Sequence, residues 1–185
     1  MVHIEEDGQI SYDSEISLRN RISAKMASQI IDSFKISSPP IVLRDIIKHL
    51  HEVAGYKFFV KKIDLKDTYS GQIVISGANV GILYNQNHSQ VRQRFTVAHE
   101  LGHLILSDGQ KMGVMEEIVD LKTKSRAEVE ANNFAAELLM PSKLLRKVIK
   151  NGSINSIEEL AKRFDVSTDA MWYQITKCNL LKLIR

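Results

Sequence analysis

The stretch FTVAHELGHLIL, residues 95–106, decides how the rest of the chain is read. It sets His99 and His103 four residues apart with Glu100 between them, in a segment otherwise almost wholly apolar. On a helix of about 3.6 residues per turn, positions i and i+4 share a face, so both imidazoles can reach one tetrahedral ion at roughly 2.0 to 2.1 Å. Glu100 is rotated by about 100° from His99, which lets its carboxylate reach a water beside that ion, the position of a general base in hydrolysis. Two imidazoles and a carboxylate among Phe95, Val97, Leu101, Leu104, Ile105 and Leu106 would each cost about 1 to 3 kcal/mol if left without partners. A metal ion supplies the missing partner, so a chance match to H-E-x-x-H is the weaker reading.

Such a site needs a third protein ligand and an open fourth position. A histidine at position 109 would extend the motif to the metzincin form, but that residue is Gly109, and His3, His49, His51 and His88 all lie upstream. A downstream carboxylate is therefore expected, from Asp108, Glu116, Glu117, Asp120, Glu128, Glu130 or Glu137. The first four fall in an irregular segment, residues 109–124 and its approach, where a rigid ligand is disfavoured. The last three sit on a helix opened by Ser125 with Glu128 as a capping box and closed before Pro141. Its apolar stripe, Ala127, Ala131, Phe134, Ala135 and Leu138, leaves Glu128 and Glu130 on opposite flanks, and periodicity does not choose between them. Glu128 has a competing task at the third helical position of a capping box. Glu137, on the flank of Glu130, is a candidate to hold a ligand histidine in its tautomer, or a solvated surface carboxylate.

Around this centre the pattern reads as α+β. Residues 23–34 and 41–53 have helical spacing, the second closed by Gly55. Residues 56–63, 72–76 and 80–84 are short, β-branched and aromatic-rich, and are expected to form a small antiparallel three-stranded sheet. Asn87 with Gln90 resembles a capping box for the motif helix. Residues 1–20 read as an N-terminal arm, 21–150 as one metallopeptidase-like domain, and 151–185 as a helix-turn-helix-like tail, with Ser156 and Glu159 capping its first helix. A length of 185 residues with 44% hydrophobic and 25% charged residues suits one soluble core. The net charge of +3 is too small to imply a nucleic-acid footprint by itself. A lone cysteine, Cys178, allows no internal disulfide and no cysteine-rich metal site, which fits a reducing compartment. No signal peptide or membrane span is expected, so the protein is expected in the cytoplasm.

The motifs RFTVAHELGHLIL, residues 94–106, and EVEANNFAAELLMP, residues 128–141, resemble those of the ImmA/IrrE family of bacterial metallo-endopeptidases. SGQIVI, residues 70–75, and VGILYN, residues 80–85, are similar to that family as well, so the likeness covers roughly residues 40–141. It implies a zincin-like fold, the small antiparallel sheet packed on helices, and a gluzincin-like site with one Zn²⁺, held by His99, His103 and the glutamate of the E-A-N-x-F-A motif, which falls on Glu130. It also implies a protein substrate, a helix-turn-helix repressor of the Xre type, cleaved in a stress or induction switch of a bacterium or mobile element. A rival reading is a regulatory protein that uses zinc structurally and binds a repressor or DNA without proteolysis.

Other features receive plainer readings. The tail carries Thr168 and Asp169 where a DNA reader would offer basic or amide side chains, so packing or partner docking is favoured over DNA binding. Arg92 and Arg94 read as surface charges or ion pairs before they read as substrate contacts. Tyr69 is a weak candidate for stabilising an oxyanion, and Met140 reads as a packing residue.

Overall fold

The computed structural model describes residues 12–106, 114–115, 126–152 and 156–184. Helices α1 (Tyr12–Ser33) and α2 (Leu43–Ala54) precede strands β1 (Lys57–Ile63), β2 (Gly71–Ser76) and β3 (Asn79–Asn85). Then come the motif helix α3 (Gln90–Leu106), a two-residue strand β4 (Val114–Met115), and helices α4 (Arg126–Leu139), α5 (Ser142–Lys150), α6 (Ile157–Phe164) and α7 (Thr168–Lys177). The α+β expectation holds. Among the described residues no helix is long and apolar enough to cross a membrane.

The sheet is mixed and four-stranded where three antiparallel strands were expected. Its order is β1-β3-β2-β4, with β1 parallel to β3 and both other pairings antiparallel. A tight turn with Gly77 at φ 58° forces β2 and β3 to run antiparallel. The segment from Asp64 to Ser70 is long enough to carry the chain past β3, so β1 lands on the far edge with β3 in the middle. Asn85, fully buried, pins that crossover: its Nδ2 donates to the carbonyls of Leu65, Lys66 and Tyr69 at 3.2, 3.1 and 2.8 Å. The buried side of the sheet, Ile73, Val80 and Ile82, meets Val97, Ala98 and Leu101 of α3 in one apolar core.

Helix ends follow local chemistry. Gly55 closes α2 in the left-handed region at φ 72°, and Ser156 and Ser167 cap α6 and α7 by accepting from Glu159 N–H and Ala170 N–H. Asn87 does not cap α3: its side-chain amide donates to Asp64 at 2.8 Å, and Gln93 holds the helix start through the carbonyls of Gln86 and His88. Residues from Tyr12 to Asn20, expected in the arm, open α1 instead, because that helix continues along α4, where Asn133 Nδ2 donates to Asn20 at 2.7 Å. The helix α5 was not anticipated; its face of Leu144, Leu145, Val148 and Ile149 is buried.

The tail is tied to the body through Glu137. That buried carboxylate accepts from Ser28 of α1 at 2.9 Å, from the Ser142 hydroxyl and N–H at 2.9 and 3.0 Å, and from Gln174 of α7 at 2.9 Å. Arg94 adds a second tie, with Nε 3.0 Å from the Asp165 carboxylate and Nη2 donating to the Ile41 carbonyl at 3.1 Å. Burial pulls the Arg94 pKa down and Asp165 opposes this. Replacing the pinning amide, Asn85→Ala, strands three carbonyls; urea denaturation is expected to report a loss of about 1 to 3 kcal/mol, and an unchanged midpoint would contradict the role given to Asn85.

Candidate metal centre

Helix α3 is buried along its motif: His99 is 7%, Glu100 1% and His103 4% exposed. A burial this complete requires a partner helix that comes very close, and Gly102 allows it. A Cβ on Gly102 would stand 3.1 Å from the Ala131 Cα and 3.2 Å from the Ala131 carbonyl oxygen of α4. At that separation the residues three before and one after Ala131 can touch the residues three before and one after Gly102.

Each helix contributes an i, i+4 pair to this seam. On α3 the pair is His99 and His103, whose Nε2 atoms are 2.9 Å apart with the rings edge to face. On α4 it is Glu128 and Asn132. The Glu128 carboxylate straddles both imidazoles, with Oε2 3.3 Å from His99 Nε2 and Oε1 3.2 Å from His103 Nε2. His99 Nδ1 donates to Asn132 Oδ1 at 2.9 Å. One ligand atom from each of His99, His103 and Glu128 lies within 4.8 Å of the others.

Glu130, expected as the third ligand, is outside this cluster. Two residues along a helix of about 100° per residue turn the side chain to the other flank, where Glu130 meets Arg19 of α1 at 3.4 Å. Helix α4 is sandwiched between α3 and α1, and the α1 side also receives Asn133 and Glu137. Glu137 therefore joins α1, α5 and α7 and does not orient a histidine. The orienting group is Asn132, which the sequence reading passed over, although its spacing of four from Glu128 is the same signal that pairs the histidines. Asp108, Glu116, Glu117 and Asp120 lie outside the described residues. Arg92 is exposed and donates to the Ser70 hydroxyl at 3.1 Å, and Met140 is fully buried, the packing role read from the sequence.

The donor set suits a cation. With the Nδ1 proton of His99 committed to Asn132, its Nε2 offers a lone pair toward His103. Two nitrogens this close hold between them either a hydrogen, donated by His103 to the His99 lone pair, or a metal ion. A tetrahedral ion with bonds of about 2.0 to 2.1 Å would set the nitrogens roughly 3.3 Å apart, a few tenths more than the 2.9 Å observed.

A family model described as the IrrE N-terminal-like domain, of peptidases, matches residues 52–176. The chain belongs to the ImmA/IrrE family. Among its ImmA/IrrE relatives, the radiation response metalloprotease IrrE of Deinococcus radiodurans is 32% identical over 100 residues, 52% of this chain and 30% of that protein. The metallopeptidase ImmA of Bacillus subtilis is 27% identical over 122 residues, 65% of this chain and 70% of ImmA. The match thus spans under a third of the Deinococcus protein. The solved structure of a Mycobacterium tuberculosis transcriptional regulator shares the fold, with a TM-score of 0.58 at 16% identity over 85% of this chain and 57% of that one.

Two expectations follow from the seam. Nitrogen NMR of the metal-free protein should find His99 as the Nδ1–H tautomer, and Asn132→Leu should erase that preference; an Nε2–H His99 in the parent would contradict it. Gly102→Val should cost about 1 to 3 kcal/mol by overpacking, read from thermal unfolding, and full stability in the variant would contradict the close approach.

Proposed function

We propose that the chain is a zinc endopeptidase in which His99, His103 and Glu128 hold the ion and Glu100 is the general base. The observation that carries this reading is the two-imidazole, one-carboxylate cluster within 4.8 Å, built on the H-E-x-x-H helix and backed by Asn132. Two histidines and a glutamate are the donor pattern of catalytic zinc sites, which keep a coordination position for solvent or substrate. When bound, the ion supplies Lewis acidity that polarises a peptide carbonyl and acidifies water.

The residues of the chain do the rest. Asn132 fixes the His99 ring so that its Nε2 lone pair faces the ion. Glu128 neutralises part of the ionic charge and spans both imidazoles. Glu100, beside His99 on the same buried helix, takes the proton from the attacking water and returns it to the departing amide nitrogen. The apolar surroundings strengthen each of these interactions by excluding solvent. Family membership supports a protein substrate, and we infer a helix-turn-helix repressor of the Xre type as that substrate, in the cytoplasm, as part of an induction or stress switch.

Zinc titration separates the two glutamates. Glu128→Ala should weaken binding by about 100-fold or more, whereas Glu130→Ala should stay within about threefold of the parent; the reverse pattern would return the ligand role to Glu130. Glu100→Gln should keep its zinc while cleavage of a helix-turn-helix repressor encoded beside the gene falls by about 100-fold or more. Cleavage by that variant at the parent rate would overturn the mechanism.

A further inference from the structure

Beside the cluster lies a cavity of about 440 Å³ between α4 and α7, within the size range of ligand sites. Glu128 and Asn132 line it, with Asn133 and Asp169 as the other polar residues. Its walls are otherwise mostly apolar: Phe95, Val129, Ala136, Met140, Ala170 and Tyr173. From α3 it takes Phe95, one turn before His99, with ring centroids 6.4 Å apart. Asp169 stands on the rim, and Lys177 Nζ lies 5.9 Å from the centroid of the Tyr173 ring. A second cavity of about 350 Å³ adjoins the first, sharing Phe95 and Ala170.

We propose that this α4–α7 cavity is the specificity pocket of the enzyme, taking a large apolar side chain of the substrate next to the scissile bond. The inference rests on the zinc-peptidase reading above. A peptide whose carbonyl meets the cluster at Glu128 has this cavity directly alongside, so the neighbouring side chain enters it. The wall chemistry selects a leucine- or phenylalanine-like group, because burying a hydrocarbon there removes apolar surface from water. The tail helix α7 then acts in catalysis as one wall of the substrate site, which gives the helix-turn-helix-like segment a task other than reading DNA. Ala170 and Tyr173 set the width of the pocket, Ala170 by its small size and Tyr173 by its ring, which is 57% exposed.

Calorimetric titration of the zinc-loaded protein with two hydroxamates tests this. Acetohydroxamate grips the metal and is too short to fill the cavity; isocaproyl hydroxamate carries the same group with an isobutyl end. The expected result is that the isobutyl compound binds about tenfold tighter or more. In Ala170→Leu, which fills the cavity, the two affinities should converge to within about twofold. Tyr173→Ala, at an exposed position, should also shrink the preference if the Ala170 variant fails to fold. Equal affinities in the parent, or a preference untouched by both variants, would overturn the pocket while leaving the metal reading intact. Failure of acetohydroxamate itself to bind the zinc-loaded protein would instead remove the metal reading, and this inference with it.

Discussion

The close approach of α3 and α4 is the constraint on which the centre depends. Gly102 and Ala131 meet more closely than an added methyl group would ordinarily pack, with 3.1 Å between a would-be Cβ and the opposing Cα. Everything polar in the seam follows from that distance. A wider seam would leave His99 and His103 buried against apolar neighbours, with Glu128 out of reach and each unpartnered group costing about 1 to 3 kcal/mol. A narrow seam joins two i, i+4 pairs into one four-residue constellation, in which Glu128 spans the imidazoles and Asn132 sets the ring of His99.

Helix α4 does two jobs on two flanks, and this division explains its unusual load of polar residues. One flank faces α3 with Glu128 and Asn132. The other faces α1 with Glu130 on Arg19, Asn133 on Asn20, and Glu137 on Ser28. Glu137 also gathers the start of α5 and Gln174 of α7. A buried carboxylate costs several kcal/mol unless its lone pairs are filled, and here four donors fill them. The tail is thereby held where one of its helices borders the site, with Arg94 and Asp165 as a second clasp.

Much of this was legible in the sequence because it is local. H-E-x-x-H on an apolar segment fixes the face of α3, the glycine at 55 stops α2, and the serine at 156 starts α6. The flanks of α4 were legible too, since the apolar stripe separates Glu128 from Glu130. Which flank meets α3 was not, because that depends on how three helices stack, and the family motif led to Glu130. Pairing of β1 with β3 was illegible for a similar reason: short alternating strands carry no mark of direction, and a single buried amide, Asn85, guides the crossover. The helix α5 escaped notice because Pro141 reads as a stop, whereas here its carbonyl accepts from Leu145 N–H at 2.8 Å and begins the next helix. Asn132 has the same spacing of four from Glu128 as the two histidines have from each other, but an amide carries no charge that marks it in sequence as part of a metal centre.

The claim at the heart of this account is a zinc ion between two helices, bound by His99, His103 and Glu128. Anomalous diffraction at the zinc edge from crystals grown with the metal tests it directly. The account predicts one strong peak about 2.0 to 2.1 Å from the Nε2 atoms of both histidines and within about 2.2 Å of a Glu128 carboxylate oxygen. A peak bonded to Glu130 in place of Glu128, or zinc bound only away from the seam between α3 and α4, would contradict it.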